Sequence, residues 1–231
     1  MATNVKPQEL NYDNYKTEKY EDEIAKVIPG HKEMHKEIAR LVKNNLPRQN
    51  AKILELGVGT GLTAEKILMA VPEAQYYGID FSDAMIKGAI NRLKGFKTNF
   101  IKGDFAEINL PKDNDLIISV IGIHHQKKDD DKKRLFTKIF SALKTGGIFI
   151  FGDLMTFLDK NIAALNEAKH FNHLVSNAND EESLREWAFH HKFLNSLAPT
   201  ESQIEWLKEV GFKEVDVIFS KFNTVLILAR R

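Results

Sequence analysis

The chain of 231 residues contains no cysteine. Disulfides, thiolate metal centres and a thiol nucleophile are therefore excluded, and a reducing, cytoplasmic setting is the expectation. Neither sign of charge predominates, with 33 Lys and Arg against 32 Asp and Glu. No global field then draws the protein to nucleic acid or to an anionic membrane. No apolar run approaches the roughly 20 residues of a membrane-spanning helix; the longest, Val225 to Ala229, reads as a buried strand. Met1 to Tyr20 is polar and charged, unlike a secretory signal. There is no internal repeat and no low-complexity tract. What is present, 43% hydrophobic and 28% charged residues, suits a soluble globular protein. The length suits a single domain, residues 1–231, with a cover over its core, better than two domains.

Three regions follow one another. Residues 1–49 read as a polar, helical cover. Ile24 and Val27 sit at helical spacing, Pro29-Gly30 breaks that helix, and Met34, Ile38, Leu41 and Val42 mark an amphipathic helix ending near Leu46-Pro47. From 51 to 153, strand and helix patterns alternate. Strands are expected at Lys52–Leu56, Gln75–Ile79, Asn99–Lys102, Asp115–Ile121 and Ile148–Phe151. Helices are expected at Leu62–Ala70, Ser82–Leu93 and Asp130–Leu143, with a turn at Thr145-Gly146-Gly147. Such alternation predicts a mostly parallel sheet covered on both faces, with the strongly apolar Asp115–Ile121 at its centre. Residues 159–196 begin helical, with Trp187 and Phe189 on the pattern, and read as a helical lid inserted over the site. A helix from Pro199-Thr200 ends at Gly211. Two strands, Glu214–Phe219 and Thr224–Ala229, then pair as a hairpin across about four residues.

In Glu55-Leu56-Gly57-Val58-Gly59-Thr60-Gly61 the glycines follow a strand and open a helix. There they let the backbone turn tightly and approach a ligand, although an ordinary strand-to-helix turn needs no more. Asp80, at the end of the second strand, stands where a carboxylate accepts both hydroxyls of a ribose. That suits S-adenosylmethionine (SAM), NAD or FAD. The spacing separates them: a dinucleotide fingerprint places its third glycine where this chain has Leu62, and no Lys-Ser/Thr pair makes a phosphate loop.

This loop is followed by GIDFSDAMI (Gly78 to Ile86), GDFAEINL (Gly103 to Leu110), DLIISVIGIHH (Asp115 to His125) and LKTGGIFIFGD (Leu143 to Asp153). In these segments and their order the chain resembles the class I SAM-dependent methyltransferases. The resemblance implies a Rossmann-like α/β fold with a mostly parallel seven-stranded sheet finished by an antiparallel hairpin. It implies SAM as co-substrate and a small-molecule methyl acceptor as partner. It also implies roles: Gly57, Val58 and Gly59 at the methionine part, Asp80 at the ribose, and Phe81 and Met85 on the adenine side. Asp104 would accept from the adenine amino group, Phe105 would lie against the ring, and Val120 would flank the sulfonium. Met85 and Phe105 would equally serve as core residues, and Asp104 as a helix N-cap.

Methyl transfer from a sulfonium is an in-line displacement in which the protein mainly positions two reactants. A base is needed only where the nucleophile must lose a proton. His124 and His125 follow the fourth strand, and His124 is the candidate catalytic residue, as base or substrate contact, against a plain packing role on the rim. His190 and His191 fall in the lid. His170 and His173 lack a third ligand and read as a solvated helix face, so no metal is expected. Asp129-Asp130-Asp131 reads as an exposed helix start. Tyr12, Tyr15 and Tyr20 are either a cover over SAM or surface packing. The flanks, Asp22-Glu23-Ile24, Ile28-Pro29-Gly30-His31 and Gly211-Phe212 through Asn223, are similar to a narrower group, the carboxy-SAM synthases, which convert SAM and prephenate to carboxy-SAM. His31 stands where that group has a cofactor-contacting tyrosine, and Ala188 where it has a carboxylate-clamping arginine, with Arg185 one turn away. Three readings follow: a small-molecule methyltransferase, a carboxy-SAM synthase-like enzyme, and a catalytically silent SAM-binding module. A homodimer stays open.

Overall fold

The computed structural model describes residues 17–47 and 49–231, with side chains from residue 21. Tyr12, Tyr15 and the side chain of Tyr20 lie outside the described residues.

Two helices come first, α1 (Thr17–Val27) and α2 (His31–Asn45). The alternating region follows as β1 (Gln49–Leu56), α3 (Leu62–Ala70), β2 (Glu73–Asp80), α4 (Asp83–Arg92), β3 (Thr98–Lys102), β4 (Asn114–Val120), α5 (Asp129–Ala142) and β5 (Leu143–Leu154). Helices α6 (Lys160–Asn177) and α7 (Glu181–Phe189), with a π-helical turn His190–Leu194, precede α8 (Thr200–Val210), β6 (Glu214–Lys221) and β7 (Thr224–Arg230). One seven-stranded sheet runs β3-β2-β1-β4-β5-β7-β6. Its first five strands are parallel, and β7 runs antiparallel to both β5 and β6.

The period of two along each strand divides the core between the faces. Leu116, Ile118, Ile148 and Ile150 meet Met34, Ile38 and Ile67 from α2 and α3. Ile117, Phe149 and Phe151 meet Phe136, Ile139 and Leu207 from α5 and α8. Each such side chain, fully buried, contributes roughly 1.5–3 kcal/mol. The chain leaves β1 toward β2 and β3, then returns to β4 on the other side of β1. Such a reversal opens a crevice beyond the carboxyl ends of β1 and β4. Gly57 and Ile121 are the residues that leave those two strands.

Four sequence expectations change. Lys144 to Gly147 belongs to β5 as a bulge rather than a turn, since the register passes from Asn114↔Leu143 to Leu116↔Ile148. Gly146 N and Gly147 O are both held by Arg231, at 3.1 and 3.0 Å. The hairpin turn is two residues, Phe222 and Asn223, with Phe222 left-handed at φ 56°. Phe189 is exposed, whereas Trp187 is buried. His170 is fully buried rather than solvated, its ring 4.2 Å from that of His191.

Candidate functional site

The loop after β1 is built on backbone that only glycine adopts cheaply. Gly57 and Gly59 have φ of 77° and 53°. Gly57 N and Val58 N both donate to Ile79 O at 2.9 Å, which folds the loop against the end of β2. Asp80 then braces it: Oδ2 accepts from Gly59 N at 2.8 Å and Oδ1 from Ser82 N at 3.0 Å. A Cβ added at Gly59 would meet no atom within 4 Å. The bare backbone there faces open space, a cradle of the kind a ligand needs.

That space is a cavity of about 440 Å³ including its mouth, lined by Glu55, Gly57, Val58, Gly59 and Val120 from the sheet side and by Glu21, Ile24, His31 and His35 from α1 and α2. Glu55 is buried and accepts from Tyr76 Oη at 2.5 Å. Burial pushes its carboxyl up to about 8, against the Tyr76 hydrogen bond, which lowers it. His35 links α2 to α3, with Nε2 and Thr63 Oγ1 3.0 Å apart, while its Nδ1 lies 2.8 Å from His31 O. Burial pushes His31 down to about 3 and His35 to about 4. Both rings are therefore neutral near pH 7. Arg92 fastens this corner from α4, donating to Thr60 O, Glu65 and Glu21.

A second cavity, about 690 Å³ including its mouth, adjoins the first. Ile24 and Ile121 line both. Ile121 is left-handed, at φ 53°, and its N donates to Gly152 O at 2.8 Å. A β-branched residue in that region costs about 1–3 kcal/mol, so the partition between the cavities is held under strain. The remaining wall mixes apolar Val27, Ile28, Leu154 and Trp187 with His124, His125, His190, His191 and the acids Glu23 and Glu186.

His124 and Asp153 form a buried pair at this wall. Asp153 Oδ1 contacts His124 Nδ1, and Oδ2 accepts from His124 N at 2.9 Å. A carboxylate accepts, so His124 Nδ1 is the donor in this pair. Lys132, itself buried, donates to Gln126 O and fastens the loop that carries His124. His125 Nδ1 lies 3.4 Å from Leu194 O and His191 Nε2 3.0 Å from Glu167 Oε1, which assigns their protons in the same way.

Of the residues singled out by sequence, His31, Gly57, Val58, Gly59 and Val120 line the first cavity and His124 the second. Asp80 lies beneath the glycine loop. Met85 and Phe105 are buried, Met85 N donating to the Ser82 cap and Phe105 packing beside Gly57. Phe81 is partly exposed. Asp104 Oδ1 accepts from Ala106 N at 2.8 Å, so it stabilises its own turn. Among the described residues no group of three His, Asp or Glu could hold a metal ion, and no helix is long and apolar enough to cross a membrane. Sequence reasoning passed over Glu55, Asp153 and Ile121. Glu55 and Asp153 had a signal, a carboxyl inside or ending an apolar strand; the Ile121 backbone had none.

Comparison with known proteins gives the same answer from three directions. Residues 53–147 match the family model described as "Methyltransferase domain". The chain is similar to the carboxy-S-adenosyl-L-methionine synthase of Nautilia profundicola, with 27% identity over 228 residues, 96% of this chain and 94% of that one. An uncharacterized methyltransferase of a Geobacillus species is 31% identical over 173 residues, 71% of this chain and 79% of that one. The fold matches the N-methyltransferase NodS from Bradyrhizobium japonicum in complex with S-adenosyl-L-homocysteine (SAH), at TM-score 0.62 and 18% identity, over 88% of each chain. With its glycine loop, the aspartate that ends β2 and its seven-stranded sheet, the chain belongs to the SAM-dependent methyltransferases.

Proposed function

We propose that the chain methylates a small-molecule acceptor held in the histidine-lined cavity, with His124 as the base. The observation that supports this best is the buried His124–Asp153 pair beside the wall the two cavities share. SAM supplies an electrophilic methyl group on sulfur. The open cradle at Gly59 fits its methionine part, together with Gly57 and Val58, and His31 closes over it. Asp80 has the place to accept from the ribose hydroxyls. Phe81, Met85, Asp104 and Phe105 would hold the adenine, and Val120 the sulfonium side. Glu55, a buried carboxyl lining that cavity, is suited to the ligand's ammonium group. Asp153 orients the His124 ring, and Ile24, Ile121, Leu154 and Trp187 supply the apolar part of the wall around the acceptor. On this reading residues 1–49 and 159–196 are cover and lid of one domain. A cytoplasmic setting belongs to the same proposal, as does a homodimer that buries the exposed Leu158, Ile162 and Leu165. Nucleic acid is not the expected partner.

The test is SAH release with an accepted small molecule. His124→Ala should lower kcat by roughly a hundredfold or more, the usual scale of general base catalysis, while SAH affinity by calorimetry stays within twofold or so. Asp153→Asn should lower kcat in the same direction, because a neutral partner no longer fixes the tautomer. Equal losses of turnover and SAH affinity in His124→Ala would make His124 a cofactor residue instead.

The full-length likeness to carboxy-SAM synthases keeps a second reading, conversion of SAM with prephenate. That chemistry needs a cation for the carboxylate. Arg185 does not supply it: its side chain is 78% exposed and paired with Glu181 at 2.5 Å.

A further inference from the structure

The two cavities meet at two isoleucines. Ile24 of α1 and Ile121, the first residue after β4, line both, and each is half-buried. The backbone of Ile121 is the costly one. It is left-handed at φ 53°, where a β-branched side chain is an outlier. Its neighbours fix it there. Val120 pairs with Gly152 across β4 and β5, and Ile121 N donates to Gly152 O at 2.8 Å. Gly152 in turn leaves room for Met34 of α2, whose Sδ an added Cβ would approach to 2.9 Å. The end of β4 is thus pinned from β5, and the turn it makes brings Ile121 to the junction of the cavities. Glycine or asparagine would take that turn with less strain. Neither would put branched apolar volume at the junction.

From this pinned, strained isoleucine between the glycine cradle and the His124 cavity, we infer that Ile121, together with Ile24, sets the specificity for the transferred group: the pair sizes the passage for a methyl and rejects larger alkyl groups on sulfur. The inference rests on reading the first cavity as the cofactor site and the second as the acceptor site. In-line displacement sets the acceptor atom, the methyl carbon and the sulfur on one line. The acceptor's lone pair forms the new bond to carbon as the carbon–sulfur bond breaks, and the electrons of the broken bond stay on sulfur. The group that moves therefore passes where the cavities meet, beside Ile24 and Ile121. A residue whose backbone is held from β5 yields little, so a longer alkyl group overpacks the junction. A close apolar wall discriminates by about ten- to two-hundredfold for one methylene.

The experiment uses the whole chain with SAH, SAM and the S-ethyl and S-allyl analogues of SAM. Binding is read by calorimetry. Each analogue is expressed relative to SAM in the same protein, so that a general loss of cofactor affinity cancels. In the wild type the allyl analogue should bind about tenfold or more weakly than SAM, with the ethyl analogue between them. Ile121→Ala should bring the allyl analogue within a few-fold of SAM. Ile121→Val, which loses one methyl and keeps the branch, should give a smaller step the same way, and Ile24→Ala should narrow the gap from α1. Thermal melting reads the strain: Ile121→Gly should melt above Ile121→Ala although it removes one more carbon, because glycine takes φ 53° freely. An allyl analogue that binds the wild type as well as SAM, or a gap that Ile121→Ala and Ile121→Val leave unchanged, would overturn the inference. Ile121→Gly melting below Ile121→Ala would overturn the strained wall on which it stands. Failure of both SAM and SAH to bind the wild type would be a different result, removing the cofactor reading of the first cavity and the passage with it.

Discussion

Glu55 departs from ordinary carboxylate behaviour because its surroundings supply one hydroxyl and little else. Tyr76 Oη donates to it, and burial raises its pKa from 4.5 to about 8. Between those values the folded protein holds a proton that the unfolded chain releases. Its contribution to stability is therefore complete below about pH 4.5 and declines as pH rises through 8. The ligand-free protein should lose melting temperature from pH 6 to pH 9, and Glu55→Gln, which cannot ionise, should flatten that slope. A slope unchanged in the variant would show that Glu55 is already ionised at neutral pH. Asp80 is the opposite case, a carboxylate whose partners are backbone N–H groups at 2.8 and 3.0 Å. Asp80→Ala removes the brace of the glycine loop together with the proposed ribose contact. At roughly 1.5–3 kcal/mol for a charge-assisted bond, SAM affinity should fall about ten- to a hundredfold by calorimetry. Unchanged affinity would remove Asp80 from the cofactor site.

The elements divide by how local their signals are. The sheet was legible because its signal is local: Val225 to Ala229 of β7 is an unbroken apolar run, β4 is rich in β-branched residues, and Ser82 and Gly211 mark where α4 begins and α8 ends. The β5 bulge was not, because Gly146 and Gly147 look like any turn until Arg231 from the chain's end pairs with them. On α6 the pattern points the wrong way. Ile162 and Leu165 are 48% and 54% exposed while His170 is at 0%, since its inner face is set by His191 and Glu167 rather than by apolar period. Beyond buried Trp187, α7 and the π-helical turn leave Phe189 and Phe193 exposed. They are tied to the His124 loop through Ser196, whose N donates to His124 O at 2.8 Å. Elements held this loosely open at low free energy. Amides of residues 181–194 should exchange faster than those of β4 and β5, and SAH should slow them several-fold through the shared Ile24–Ile121 wall. Exchange indifferent to SAH would separate this segment from the ligand cycle.

At the scale of the whole molecule, near-neutral net charge conceals an uneven interior. Among the described residues the cavities gather Glu21, Glu23, Glu55 and Glu186 from α1, β1 and α7, with Arg92 paired to Glu21 and Glu65, Lys132 donating to a carbonyl and Arg185 paired to Glu181. No window of sequence reveals that lining, since Glu23 and Glu186 come to one cavity from the first helix and the insertion. The position of Arg185 bears on the carboxy-SAM synthase reading. Prephenate is a dicarboxylate, and moving one of its carboxylates onto the methyl carbon of SAM calls for a bidentate cation to hold that carboxylate. Ala188 offers no donor, and the Arg185 guanidinium faces solvent beside Glu181. Incubating the full-length protein with SAM and prephenate should therefore yield no carboxy-SAM by mass spectrometry. Arg185→Ala should leave SAM affinity unchanged, as expected of an exposed ion pair worth at most about 1 kcal/mol. Formation of carboxy-SAM, abolished by Arg185→Ala, would mean that α7 turns inward when substrate binds, and would replace the methyltransferase assignment of this cavity with the synthase one.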